Sequence, residues 1–181
     1  VYEKMGKDPE AKKSYWKAMR YLTPNHWMRT ELYQRIIAIY RRKNALRSLV
    51  GELEKKWRGR GFFQWKILSA LYDEVGDDDK AIKAYKAALR IKPYAIDVRA
   101  KLISMLTRLN RQKEAIRVLE TQVRLAPGEP RFHLDLAEML WSERLQKRAL
   151  AVLRRLGARF PRDPSVHLAL ADRYNKWGKP K

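Results

Sequence analysis

Cysteine is absent from the 181-residue sequence, and histidine is scarce, with three residues. Disulfides and thiolate metal sites are therefore excluded, and three histidines are too few to form a cluster of metal ligands. We expect neither a metal nor a cofactor. The lack of cysteine suits a reducing cytoplasm or a periplasm, so the sequence leaves the compartment open, with the cytoplasm favoured.

Long apolar runs and catalytic motifs are also lacking. No segment approaches the roughly 18 consecutive apolar residues of a membrane-spanning helix. The sequence contains no Walker loop, no G-x-G-x-x-G and no cysteine pair. The acidic run Asp77-Asp78-Asp79 lies between predicted helices, where we interpret it as a helix cap rather than a cation site. We therefore predict a folded, soluble protein that is not an enzyme.

The most informative feature that is present is an internal repeat of 34 residues. A shift of that length superimposes the chain on itself, and residues of one type fall into columns: Ala81, Ala115 and Ala149; Pro93, Pro127 and Pro161. A period of this length is typical of stacked helical units, each of which has an apolar face that only its neighbours can cover. Because the residue before a proline is biased away from helix, the prolines are predicted to end the units.

The pattern between Trp65 and Pro93 resembles the tetratricopeptide repeat, in which small residues let two paired helices approach closely. The resemblance implies an all-α fold, a right-handed superhelical solenoid of antiparallel helix pairs, and a bacterial-type scaffold protein. His133 and His167 occupy the place of Trp65 and are expected to pack between helices. Residues 1–181 are predicted to form a single solenoid segment. It begins with a half repeat (1–24) and a degenerate repeat (25–61). Three regular repeats (62–95, 96–129 and 130–163) and an incomplete repeat (164–181) follow.

Both ends of the sequence fall inside a repeat. The first residues keep the repeat spacing at Tyr2, Gly6 and Ala11, and no second helix is predicted after Tyr174. We expect the chain to be a segment of a longer array, in which Val166, Leu170 and Tyr174 are left partly uncovered. Uncapped terminal repeats adhere to one another, so end-to-end self-association is expected.

The resemblance also implies that the first helix of each pair lines a concave groove, which holds a protein or peptide partner. The equivalent positions here carry charges of both signs: Phe63, Lys66, Asp73, Asp97, Lys101, Arg108, Arg131, Asp135, Glu138 and Trp141. Some members of the family grip a C-terminal carboxylate through such positions. In this sequence Ala70 lacks the required donor and Asp135 has the wrong charge, so a carboxylate clamp is not expected.

The net charge of +21 is the main anomaly of the composition. A small soluble domain needs a net charge of only about 2 to 8. Many basic residues lie on the predicted second helices, which form the outer, convex side in the family; they include Lys80, Lys83, Lys86, Arg90, Arg117, Arg154 and Arg155. We therefore predict a protein partner of acidic character on this basic face.

One alternative stays open. The first sixty residues have the largest excess of basic residues, and they also contain seven aromatic residues: Tyr15, Trp16, Tyr21, Trp27, Tyr33, Tyr40 and Trp57. Basic and aromatic residues together are typical of surfaces that bind single-stranded nucleic acid. A nucleic-acid-binding helical repeat is therefore the alternative to a protein-interaction scaffold, although several of these rings fall at packing positions of the repeat.

Overall fold

The computed structural model describes residues 7–23, 27–57 and 60–178, all of whose regular secondary structure is helical. The ten helices of these residues are α1 (Asp8–Arg20), α2 (Met28–Arg42), α3 (Leu46–Lys56), α4 (Phe62–Glu74), α5 (Asp78–Ile91), α6 (Ile96–Arg108), α7 (Gln112–Leu125), α8 (Pro130–Ser142), α9 (Gln146–Arg159) and α10 (Pro164–Lys176). The predicted repeat spacing at Tyr2 and Gly6 lies outside the described residues.

From α4 onward the helices keep the 34-residue register without a slip. The first helices of the pairs, α4, α6, α8 and α10, each have 13 residues. The second helices, α5, α7 and α9, each have 14. The predicted all-α fold of successive helix pairs is therefore confirmed. None of the described helices combines the length and the apolar character that crossing a membrane requires.

The turn inside each regular pair contains one residue with left-handed backbone. These residues are Gly76, Asn110 and Arg144, with φ of 77°, 55° and 59°. The residue that follows donates its backbone N–H to a carbonyl five residues back, as in the 2.8 Å bond from Asp77 to Tyr72. This bond satisfies a carbonyl that the end of the helix would otherwise leave unpaired. Glycine is the residue best suited to positive φ, yet only one of the three turns uses it.

One alanine recurs at the same buried place of each regular second helix. Ala81, Ala115 and Ala149 are each the fourth residue of their helix, and each is completely buried. The same place in α3 is occupied by Leu49, which is also buried. The alanine column of the repeat therefore marks core positions, whereas Pro93, Pro127 and Pro161 are exposed where the units end.

The chain folds as two compact units that divide between Ala81 and Ile82, within α5. In the first unit, aromatic rings gather around the buried Tyr33. Its ring centroid lies 5.9 Å from that of Trp16 and 5.4 Å from those of Trp57 and Phe63. Edge-to-face and tilted arrangements at these distances are favourable for aromatic pairs.

The second unit has a mainly aliphatic core that continues into α10. Val166 and Leu170 are 2% and 7% exposed and pack in one cluster with Leu136 and Leu156. The prediction that Val166 and Leu170 are left partly uncovered is wrong, because α9 and α10 approach closely at Gly157, where a Cβ would lie 3.1 Å from Leu170 Cδ1. Tyr174 is only partly buried, as predicted. Self-association and a longer array stay predictions.

Candidate functional site

A cavity of about 500 Å³ lies within the second unit, between the first helices α6 and α8. We call it the inner cavity. Its floor is apolar, and charged and polar side chains surround it: Ile96, Asp97, Ala100, Ile103, Ser104, Leu119, Gln122, Arg131, Phe132, Asp135, Glu138, Met139 and Ser142. Four of the ten residues predicted for the groove, Asp97, Arg131, Asp135 and Glu138, therefore line one cavity.

The rim of the inner cavity is acidic. It has three carboxylates, Asp97, Asp135 and Glu138, against one cation, Arg131. Arg131 Nε is 3.9 Å from Asp135 Oδ2, a distance at which an exposed pair adds little stability. Loss of hydration raises the pKa of the Asp135 carboxyl above its ordinary value, despite the opposing effects of Arg131 and Arg173. Half of the Asp135 side chain is still exposed, so the carboxylate can meet a partner.

Gln122 contributes an unpaired acceptor to the inner cavity. This α7 side chain is buried, and its Oε1 atom has no hydrogen-bond partner in the described part of the chain. A buried carbonyl oxygen without a donor costs about 1–3 kcal/mol relative to a paired one. A partner that brings an N–H group to this oxygen would recover that cost. Sequence reasoning missed Gln122, because it lies on a second helix and was not counted among groove positions.

The predicted groove residues Glu138 and Trp141 contact the C-terminal end of the described chain. Glu138 Oε1 accepts a 2.5 Å hydrogen bond from Lys176, and its Oε2 is 3.5 Å from Arg173 Nε. The Trp141 ring stacks on Trp177, with 4.2 Å between centroids and an angle of 3° between the planes. Glu138 therefore joins α8 to α10, and Trp141 joins α8 to the residue that follows α10.

The other predicted groove residues are spread over both units. Lys101 and Arg108 are exposed on α6 in the second unit. Phe63, Lys66 and Asp73 belong to α4 in the first unit, where Phe63 packs against Tyr33.

The predicted basic face lies on second helices. In the second unit Lys83, Lys86, Arg90 and Arg117 line a cavity of about 730 Å³ between α5 and α7. Arg155 lines a further cavity of about 530 Å³ between α7 and α9. Lys80 belongs to the first unit, where its Nζ is 3.3 Å from Glu54 Oε1 and 3.5 Å from Asp77 Oδ2. Arg154, the last of the predicted residues, is exposed on α9.

The register of these helices and of the residues on them is that of a known family, whose pattern matches residues 14–181. The chain belongs to the tetratricopeptide repeat family. Similar solved structures include MamA, with 17% identity over 86% of this chain and 90% of that chain and a TM-score of 0.56. A tetratricopeptide repeat protein from Parabacteroides merdae has 19% identity over 98% and 70% of the two chains, with a TM-score of 0.56.

A third solved structure is YrrB, described as a tetratricopeptide repeat protein with an unusual peptide-binding site. It has 14% identity over 95% of this chain and 86% of that chain, with a TM-score of 0.54. At these identities the likeness is one of fold. No curated protein is similar enough to match the sequence.

One tetratricopeptide position of this chain carries buried polar side chains. His133 is buried and its Nε2–H donates to the Pro127 carbonyl at 3.2 Å, while the exposed His167 makes the same 3.0 Å bond to Pro161. The buried Arg99 also donates from its guanidinium to the carbonyl of Pro93, and burial lowers its pKa. Packing between helices is confirmed for His133, whereas the same prediction is wrong for His167, which is exposed. Arg99 was missed because arginine is rarely expected in a core.

The Asp77-Asp78-Asp79 run lies where α5 begins. Asp77 Oδ1 accepts a 3.3 Å hydrogen bond from the backbone N–H of Lys80, which is the helix-cap role that the sequence predicted. In the ranges that the structure covers, no group of three or more His, Asp or Glu residues could hold a metal ion.

The rings considered for nucleic-acid stacking are divided between core and surface. Tyr33 and Trp57 are buried, and Trp16 packs on Tyr33 with Lys56 Nζ 3.5 Å from its ring centroid. Tyr21 and Trp27, in contrast, are 79% and 69% exposed. Most of these rings therefore have a packing partner within the first unit, which leaves few of them to stack on bases.

Proposed function

We propose that this tetratricopeptide repeat chain is a non-catalytic protein-interaction scaffold that holds a peptide segment in the inner cavity. The observation that carries the proposal is Gln122 Oε1, a buried acceptor without a donor in a cavity with an apolar floor. An extended peptide has backbone N–H groups at regular intervals, and one of these can pair with such an oxygen. The apolar floor formed by Ile103, Phe132 and Met139 then offers room for a side chain.

The charge of the inner cavity favours a neutral or basic peptide at this point. Asp97 and Asp135 would repel an acidic segment and attract a lysine or arginine. We therefore assign the acidic partner predicted from the net charge to the basic face, which is formed by lysines and arginines of the second helices. Nucleic acid stays the alternative for that face.

The proposal is tested by selecting random peptides from a phage library on the immobilised 181-residue chain. Ser104→Trp places a ring in the inner cavity. It is expected to lower the affinity for the selected peptides by at least about tenfold, since truncation or blockage of a central contact typically has effects of this size. Affinities are measured by fluorescence anisotropy, and circular dichroism checks that helicity is unchanged.

Thr107→Trp is the matched control, because Thr107 is exposed on the same helix but does not line the inner cavity. It is expected to leave affinity within about threefold of the unmodified chain. If every selected peptide binds Ser104→Trp and the unmodified chain equally well, the inner cavity is not the binding site.

A further inference from the structure

The outer side of the second unit has two equivalent grooves, one repeat apart. The α5–α7 groove is lined by Lys83, Lys86, Leu89, Arg90, Pro93, Arg99, Leu102, Glu114, Arg117, Val118, Thr121 and Leu125. The α7–α9 groove is lined by Glu120, Val123, Arg124, His133, Leu136, Leu140, Arg148, Ala151, Val152 and Arg155. A shift of 34 residues takes most of the first lining onto the second. Two grooves of one design are thus repeated along the chain.

The floors of both grooves are aliphatic. Leu89 and Val118 in the α5–α7 groove are equivalent to Val123 and Val152 in the α7–α9 groove. The buried polar residue of each floor is already paired, because Arg99 and its equivalent His133 donate to proline carbonyls. The floors therefore offer apolar contact without an unpaired polar group to satisfy.

The rims of the grooves are cationic, and several of their charges have no carboxylate partner. Lys86 is 2.8 Å from Glu114, and this contact, together with Arg111, holds the pKa of Glu114 below its ordinary value. Lys83, Arg90 and Arg117, in contrast, form no ion pair within the described ranges. Unpaired cations beside an apolar floor are free to meet an acidic partner.

We propose that these grooves bind acidic amphipathic helices of a partner protein, with the apolar face of the helix on the aliphatic floor and its carboxylates against the rim. The inference deepens the proposed scaffold function and rests on it. A helix laid in an apolar groove is a common mode of peptide recognition, and charge complementarity sets its orientation and rate of association.

The shape and lining of the grooves favour this partner over other polyanions. Single-stranded nucleic acid binds through stacking on aromatic side chains, and neither groove is lined by a Phe, Tyr or Trp; the ring of His133 is buried and paired with the Pro127 carbonyl. A membrane surface is bound by apolar side chains that protrude into the lipid, whereas these aliphatic side chains lie at the floor of a cavity. The α5–α7 groove is expected to bind more tightly, because it has five cations and one carboxylate against three and one in the α7–α9 groove.

The test uses a fluorescent helical peptide of about 18 residues, long enough to form a helix on binding, with leucines at every third and fourth position and glutamates elsewhere. The double variant Lys83→Glu with Arg117→Glu is expected to weaken binding of this peptide by at least about tenfold at about 150 mM salt. The reason is that two rim cations that attract the glutamates are replaced by anions that repel them.

The matched control is Lys113→Glu with Arg154→Glu. Both residues are exposed on second helices and lie outside the two linings, and the change in net charge is the same. This control is expected to weaken binding by less than about threefold, because neither side chain lines a groove and salt screens exposed charges. Equal losses in the two double variants would mean that net charge alone attracts the peptide, which would overturn the proposal.

The contribution of the floor is tested separately. A peptide in which serines replace the leucines keeps the charge and is expected to bind at least about tenfold more weakly. Val118→Trp, which fills the α5–α7 groove without changing charge, is expected to weaken the leucine peptide in the same way. Equal binding of the two peptides would contradict a groove with an apolar floor, whether or not Val118→Trp folds.

Further titrations distinguish helix binding in the outer grooves from binding of nucleic acid, of membranes, or of a peptide in the inner cavity. Single-stranded oligonucleotides and vesicles of phosphatidylserine and phosphatidylcholine are titrated under the same conditions, and binding of either that is tighter than that of the leucine peptide would overturn the proposal. Ser104→Trp is expected to leave the leucine peptide bound. If peptide selection fails to identify the inner cavity but the groove variants behave as expected, the result supports helix binding in the outer grooves and contradicts peptide binding in the inner cavity.

Discussion

The two units of the chain fill the contacts between their helices differently. In the second unit, Ala115 and Ala149 occupy the fourth place of their helices and are completely buried. In the first unit, Ala11 and Ala81 have this place in α1 and α5, but Leu49 is buried there in α3, and the rings around Tyr33 supply much of the core. Small residues permit close approach of helices, whereas a leucine and large rings fill a wider space. A repeat period therefore sets the register of the helices, while the side chains set how each contact is packed.

The largest effect on stability is expected from the ring at the centre of the first unit. Tyr33→Ala removes a buried side chain that contacts three other rings, and it is expected to lower the free energy of unfolding by about 3–5 kcal/mol. Urea denaturation followed by circular dichroism measures the loss. Tyr33→Phe retains the ring and is expected to lower the same free energy by less than about 1.5 kcal/mol. Similar losses in both variants would assign the contribution to the hydroxyl group instead.

Exchanging the residues at the equivalent helix position tests the difference between the units directly. Leu49→Ala leaves a cavity and is expected to lower the free energy of unfolding by about 2–5 kcal/mol. Ala149→Leu crowds a completely buried position and is expected to lower it by about 1–3 kcal/mol. The same denaturation experiment measures both. If either exchange is neutral, the two units tolerate the same side chain there and their packing does not differ in the way described.

The smallest effect is expected at the turn of α8 and α9. Arg144 is an exposed residue held at φ 59°, where glycine is less strained. Arg144→Gly is expected to raise the free energy of unfolding by about 0.5–1 kcal/mol, because relief of strain exceeds the added freedom of the unfolded chain. The reverse change in the first unit, Gly76→Arg, should lower it by a similar amount. A loss of stability in Arg144→Gly would show that the arginine side chain contributes more than its backbone costs.

The candidate site was only partly predictable. The family register placed Asp97, Arg131, Asp135 and Glu138 on first helices, and the structure brings these four to one cavity. Gln122 could not be recognised beforehand, because its importance lies in a missing hydrogen bond rather than in its residue type or position. The apolar floors of the outer grooves were also missed, since a charge count identifies cations but gives no information on what lies between them.

The sequence by itself determined the all-α class, the length of the repeat and the places where helices end. These features depend on local backbone preferences and on residues at fixed spacing, both of which can be counted along the chain. Only the tertiary structure decided which side chains meet, as in the stacking of Trp141 on Trp177 or the ion pair of Glu138 with Lys176. The reason is physical: positions about one repeat apart become neighbours only when the helices pack. Their contacts depend on side-chain shape and on distances in the folded chain, and the spacing of residues along the sequence gives neither.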